Sequence, residues 1–157
     1  LGYKKVVHVD YPDNRFDSID LLDIIKQIEH QIQIFNPAVI YTHFVGDLNI
    51  DHQITAKAVL TACRPLKGSR IKKIYSFDTP SATGWGFNTN YFKPNFFNDI
   101  SKYINFKISA MQKYDSELFE YPHPRSIKAL QDRASYWGSQ AGLLCAEAFQ
   151  LIREIKK

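Results

Sequence analysis

Two histidines and two aspartates fall within the ten residues His43–His52 (HFVGDLNIDH), the densest run of metal-binding and acid–base side chains in the chain. Imidazole and carboxylate are the donors zinc favours, and a catalytic zinc needs three protein ligands plus an open position for water. Water held there becomes a nucleophile near neutral pH. The spacing also has a plainer explanation. Asp47, Asn49 or Asp51 can cap a helix, and His43 can pack at a strand end. A second candidate is the proline-bracketed loop Tyr121–Arg125 (YPHPR). Its prolines restrict the backbone, and the planar fork of Arg125 suits a phosphate, a carboxylate or sugar hydroxyls, or else the loop's own carbonyls. Trp85 and Tyr91 offer rings that can stack on a sugar or pack beneath their own loop. Glu147 stands in an apolar run, so it needs a partner or must face a site. His8 and His30 read as core-edge and helix-surface residues.

The elements that must position these residues alternate between strand and helix. Lys4–Asp10 (KKVVHVD) reads as a strand that ends in a turn at Tyr11–Asn14. Asp17 or Ser18 then caps a helix whose apolar residues Leu22, Ile25, Ile28, Ile32 and Phe35 recur at spacings of three and four. Asn36-Pro37 stops it. Ala38–Phe44 is a second strand, a helix runs from near Ile50 to Cys63, and Lys72–Asp78 is a third strand. This rhythm predicts an α/β, Rossmann-like three-layer fold with a mostly parallel sheet, in a single domain over 1–157. Such sheets bind ligands beyond the carboxyl ends of their strands. Those ends are Tyr11–Arg15, His43–His52 and Asp78–Gly86.

The rest is less regular. Thr79–Asn95 is rich in Gly, Asn, Ser and Thr, with a short strand expected near Asn90–Lys93. A helical period returns at Phe97, Ile100, Ile104, Ile108 and Met111, and Ser126 caps a last helix through Ile127, Leu130, Ala134 and Trp137. Beyond Gly142 the period does not separate helix from strand.

Composition narrows the function classes. The net charge of +4 comes partly from Lys67, Arg70, Lys72, Lys73 and the Lys156-Lys157 tail. Such clusters are ordinarily solvated loops and termini, and no nucleic-acid-binding signature accompanies them, so no nucleic-acid partner is expected. Cys63 and Cys145 are read as buried thiols of a reducing compartment. No stretch approaches the roughly 18 apolar residues of a membrane span, and no signal peptide opens the chain. A cytoplasmic location is the expectation.

Collinear motifs add a resemblance. Asp47–His52 (DLNIDH), followed by a helix that ends Ala62–Pro65 (ACRP), resembles the second conserved motif of the PIG-L/LmbE-like zinc-dependent N-deacetylases. Tyr11–Asp17 (YPDNRFD) is similar to the segment that precedes it in bacterial members. Phe92–Phe96 (FKPNF), Asn98–Ile100, then Lys107, Tyr114 and Glu117, Pro122–Ser126 (PHPRS) and Ala146–Phe149 (AEAF) follow the same pattern. The resemblance implies a Rossmann-like fold and removal of an acetyl group from a small N-acetylated amino sugar or its conjugate. It also implies zinc (Zn2+) held by a His and an Asp of an amino-terminal Ala-His-Pro-Asp-Asp-Glu motif and by the His of the second motif. By position, that last ligand is His52. The remaining Asp of the first motif would act as general base.

The sequence departs from the pattern in two places. No Ala-His-Pro-Asp-Asp-Glu occurs, since His8-Val9-Asp10 lacks the proline and the paired acids. The chain begins Leu-Gly-Tyr, so it is expected to be the carboxyl-terminal two-thirds of a deacetylase domain, with about two βα units missing. Its zinc site would be incomplete and the chain alone inactive. Asn49 also stands where many relatives carry a histidine proposed as acid or oxyanion partner. An Asn can donate to an oxyanion but cannot shuttle a proton; Asp47, His43 and His123 are the candidates for that role. Asp51 is expected to orient the ligand or to stabilise the helix terminus. The resulting assignment is His52 as metal ligand, Asp47, Asn49 and Asp51 as catalytic residues, and His43, His123 and Arg125 as substrate-binding residues. A homo-oligomer is a possible partner, because an incomplete sheet exposes an edge and apolar helix faces. The alternative is a non-catalytic relative that keeps the scaffold and sugar or partner binding. A nucleotide-binding domain is disfavoured, since no G-x-G-x-x-G follows a strand.

Overall fold

The computed structural model describes residues 2–86 and 91–156. In chain order the main elements are α1 (Leu21–Phe35), β1 (Val39–His43), α2 (Ile50–Ala62), β2 (Lys73–Phe77), β3 (Phe96–Asp99), α3 (Ile104–Met111), α4 (Ile127–Ser139) and β4 (Ala146–Glu154). The chain divides into two compact units, one of residues 11–95 and 149–157, the other of residues 1–10 and 96–148.

The first unit holds the βαβ core. β1 and β2 pair in parallel with Thr42 opposite Ser76, and α2 is the crossover. β2 pairs antiparallel with the end of β4, with Phe77 opposite Phe149 and a bulge between Ile74 and Tyr75. The hydrogen-bonded strand order is β1-β2-β4-β3. The sheet is therefore mixed, and "mostly parallel" describes it only loosely. A parallel pair needs a long crossover, whereas β4 returns by another route and can enter antiparallel.

Apolar spacing explains how the two helices attach. Ile24, Ile25 and Ala58 form a buried cluster ringed by Tyr11, Phe16, Ile19 and Ile54. Val59, Cys63, Ile71 and Ile74 form another, against Ile28, Ile32 and Ile40. The expected apolar stripe on α1 holds at its centre but not at its ends, because Leu22 and Phe35 are 57% and 48% exposed. Asn36 closes α1 with φ 44°, a left-handed cap that Asn tolerates better than most residues. The start of α1 differs from expectation. Residues Phe16–Ser18 form a short 3-10 turn, Asp20 is the cap residue, and neither Asp17 nor Ser18 caps the helix. Ser18 Oγ instead donates to the Arg15 carbonyl at 2.7 Å, which competes with a capping role.

In the second unit Ser126 caps α4 as expected, accepting from the Ala129 N–H at 3.2 Å. Phe97 packs near Trp137, with ring centroids 6.3 Å apart. Glu147 has its partner, Lys107 Nζ at 2.5 Å. Three expectations are corrected. Residues 4–10 form no strand, and Val6, Val7 and Val9 are exposed; β-branched residues favour strands only where a neighbour supplies the ladder. Phe97–Ile100 does not continue the helix, since Phe96–Asp99 is β3 and the helix starts at Ile104. The open segment after Gly142 is the strand β4. Of the strand expected near Asn90–Lys93, Asn90 lies outside the described residues and Tyr91–Lys93 form none. Phe87 and Lys157 also lie outside them.

Both cysteines are free; Cys63 is buried, whereas Cys145 is only half-buried. Among the described residues no helix is long and apolar enough to cross a membrane.

Candidate active site

The loop that leaves β1 turns into α2 at Asn49. The Asn49 side-chain oxygen accepts from the N–H groups of Asp51 and His52 at 2.8 and 3.3 Å, which fixes the first turn and aims His52. Its amide nitrogen donates to Asn14 Oδ1 at 3.0 Å. Both ends of that amide are thus committed to structure.

Asp47 is the buried centre of the site, with 0% exposure. One carboxylate oxygen accepts from the Asn49 N–H at 2.9 Å, and the other accepts from Thr83 Oγ1 at 2.6 Å. His52 Nδ1 lies 3.2 Å from Asp47 Oδ1, a close polar contact without the alignment of a linear hydrogen bond. Burial pushes the Asp47 carboxyl up, yet the close His52 ring and the bonds from Thr83 and Asn49 outweigh it and hold it below the usual carboxylate range. Asp47 therefore stays ionised.

His43, the last residue of β1, stacks on His52 with ring centroids 4.1 Å apart and planes 16° apart. Its other neighbour is Phe77 at 4.8 Å. Burial lowers the His43 pKa to about 4; the charge of His52 adds to this and Asp47 opposes it. Near neutral pH, His43 is an uncharged ring whose Nδ1 is buried without a partner among the described residues. The His52 side chain keeps 22% exposure with Nδ1 buried. Asp47 therefore occupies the inner nitrogen and leaves Nε2 for an outside group.

Asp51 does something the sequence did not indicate. It is 8% exposed, and its carboxylate accepts the backbone N–H groups of Asn14 at 2.7 Å and Phe16 at 2.9 Å. It clamps the 11–17 loop onto α2. The segment 11–15 and the loops that follow β1 and β2, within 43–52 and 78–86, accordingly come together here, through Asn14, Asp47, Asp51 and Thr83. Gly86 permits the closest approach, because a Cβ there would sit 2.7 Å from the Gly46 carbonyl. Asn14 and Thr83 were not singled out from sequence; the only signal was their place in loops expected at the ligand-binding end.

His123 and Arg125 belong to the other compact unit. The Arg125 guanidinium is paired with the Glu117 carboxylate and lies 4.8 Å over the Phe119 ring. The Arg125 N–H donates to His123 Nδ1 at 3.1 Å, so that nitrogen is an acceptor. The histidine ring also lies 4.3 Å from Phe119.

Could these residues hold a metal? Among the described residues no three His, Cys, Asp or Glu side chains are grouped to bind one. His52 is a suitable donor, backed by a carboxylate as metal-binding histidines usually are. The described residues alone do not complete a zinc site.

Part of the sequence and the fold as a whole are similar to known proteins. Residues 1–63 match the family model described as PIG-L, GlcNAc-PI de-N-acetylase. By fold the chain is similar to the conserved protein TT1542 from Thermus thermophilus, at TM-score 0.71 and 18% identity over 94% of this chain and 65% of that one. It is equally similar to N,N'-diacetylchitobiose deacetylase from Pyrococcus horikoshii, at TM-score 0.71 and 16% identity over 97% and 58%. A third likeness is to GalB, the 4-carboxy-2-hydroxymuconate hydratase from Pseudomonas putida, at TM-score 0.64 and 16% identity over 87% and 60%. Over residues 1–63 the chain is thus similar to the PIG-L family, as the motifs in that stretch suggested. The motifs at 11–17 and 47–52 lie inside the matched residues, and those from Phe92 onward lie outside. The chain spans 58% to 65% of the length of these structures.

Proposed function

We propose that this chain forms part of a hydrolase that removes the acetyl group from an N-acetylated amino sugar or its conjugate, with Zn2+ as cofactor. The family match over residues 1–63 supports this reading. The observation that carries it is the Asp47–His52 pair: a fully buried carboxylate 3.2 Å from the inner nitrogen of a histidine that keeps part of its side chain in solvent. In this reading His52 is the one zinc donor that the described residues supply. Asp47 orients it, and Asn49 and Asp51 hold the loops that frame it. The assignment of catalytic work to Asp47, Asn49 and Asp51 thereby becomes a positioning role. His43 offers a neutral ring beside the reacting centre; for His123 and Arg125, in the other compact unit, a substrate-binding role is proposed from the family resemblance alone. For Arg125 this requires exchanging the Glu117 carboxylate for a substrate group. The reaction class is amide hydrolysis: a water oxygen bonds to the acetyl carbon, the C–N bond breaks, and the amine leaves with a proton. A cytoplasmic location belongs to the same proposal and rests on the two free thiols.

The grouping of fewer than three metal-binding side chains among the described residues favours a second reading, a non-catalytic relative that retains the scaffold. Acetate release by the full-length protein from N-acetylglucosamine, diacetylchitobiose and N-acetylglucosaminyl phosphatidylinositol separates the two. The hydrolase reading expects release from at least one of them. No release from any, by protein that stays folded and is supplied with zinc, favours the scaffold reading.

A further inference from the structure

Thr42 of β1, Ser76 of β2 and Gln150 of β4 stand side by side across three neighbouring strands, since Thr42 is the register partner of Ser76 and Ser76 of Gln150. Register partners direct their side chains to one face of a sheet. Thr42 is 2% exposed and Ser76 1%. The hydroxyl oxygens of both, and Oε1 of Gln150, are buried without a hydrogen-bond partner among the described residues. Native structures seldom leave one such atom unpaired, and three in a row call for a shared partner.

Ile40 and Ile74, two residues earlier on β1 and β2 and so on the same face, pack with Val59 and Cys63 of α2. At helical spacing that side of α2 carries Cys63, Val59, Ala56 and His52 in turn. The helix residue one turn beyond Val59, towards the level of the row, is thus Ala56, buried to 1%.

We infer that this row binds a buried water molecule, held by the Thr42 and Ser76 hydroxyls and the Gln150 amide oxygen. The chemistry matches. Gln150 Oε1 only accepts, the hydroxyls both donate and accept, and a buried water typically makes about three bonds. A partner made of carbon would leave all three unpaired. The water ties the carboxyl ends of β1 and β2 to the middle of β4, just before the loops that carry Asp47 and Thr83, so it stiffens the floor of the candidate site.

A high-resolution crystal structure of the full-length protein tests this directly. It should contain an ordered water within hydrogen-bond distance of both Thr42 Oγ1 and Ser76 Oγ. A Thr42–Ser76 hydrogen bond with no water between overturns the inference. The near-isosteric variants Thr42→Val and Ser76→Ala give an independent sign. If water is bound, each deprives it of a partner and the urea midpoint falls. If the row is dry, each removes an unpaired buried hydroxyl and the midpoint rises, which also overturns the inference. Should a variant fail to fold, the density in the unaltered protein decides.

Discussion

Replacing Asp51 should destabilise the fold far more than its surface-like helix position implies. Its carboxylate accepts two backbone N–H groups from a loop more than thirty residues away in sequence, at 2.7 and 2.9 Å. Hydrogen bonds to a charged group contribute about 1.5–3 kcal/mol each, so losing both costs at most about 3–6 kcal/mol. Asn14 is exposed and its freed N–H can bond water, whereas Phe16 is half-buried, which reduces the expected loss for Asp51→Ala to about 2–4 kcal/mol. Asp51→Asn keeps one acceptor oxygen but turns an N–H₂ donor towards a donor, and should cost about 1.5–3 kcal/mol. Urea denaturation of the full-length protein at pH 7 measures both; the slope against urea should stay constant if only native contacts change. Hydrogen exchange locates the effect, because the amides of Asn14 and Phe16 should lose protection before those of β1. If both variants fall within about 0.5 kcal/mol of the parent, the range usual for surface substitutions, or if those two amides keep their protection, the clamp is wrong.

Other predictions follow from single contacts. Gly138→Ala places a methyl 2.7 Å from the Leu143 carbonyl oxygen and 2.8 Å from the Leu144 carbonyl carbon, both backbone atoms, so it should cost about 1–3 kcal/mol in a denaturation series. Asn49→Ala removes the α2 cap and should cost about 1–2 kcal/mol, with the first turn of α2 fraying in hydrogen exchange. Burial raises the Cys63 thiol to about 11, although Arg153 opposes this. Below pH 9 the thiol is protonated in both folded and unfolded chains. Between about 9 and 11 the unfolded chain alone has lost the proton, so stability falls as pH rises, by at most about 1.4 kcal/mol per unit. Cys63→Ala should flatten that slope, and native Cys63 should resist alkylation. Exposed Leu22, Ile34, Phe35, Val39 and Tyr41 predict that the 157-residue chain alone self-associates; a monodisperse species at 18.2 kDa in light scattering contradicts this.

Local physics made part of this molecule legible from sequence. The boundaries of β1, α2 and β2 follow from Pro37, Asn49 and Pro65 and from apolar spacing between them, and the structure agrees to within a residue or so. Phe97 and Ile100 misled because a short strand running into a helix can mimic a three-to-four spacing across the junction. Residues 4–10 misled for the opposite reason, since valines state a preference that only a neighbouring strand can satisfy. The orientation of β4 depends on its route to β2, which no window of its own residues encodes. At the site, the density of His and Asp residues between 43 and 52 marked the place. Which carboxylate serves the histidine and which clamps a loop depends on Asn14, Phe16 and Thr83, and only folding brings those to Asp51 and Asp47.

The central claim is that Asp47 turns His52 so that its outer nitrogen binds zinc, and zinc content measures it most directly. Full-length protein dialysed against limiting zinc should retain one equivalent per chain, His52→Ala should bind at least about 100-fold more weakly, and Asp47→Asn about 10- to 100-fold more weakly. Equal zinc retention by His52→Ala and the parent would contradict the account.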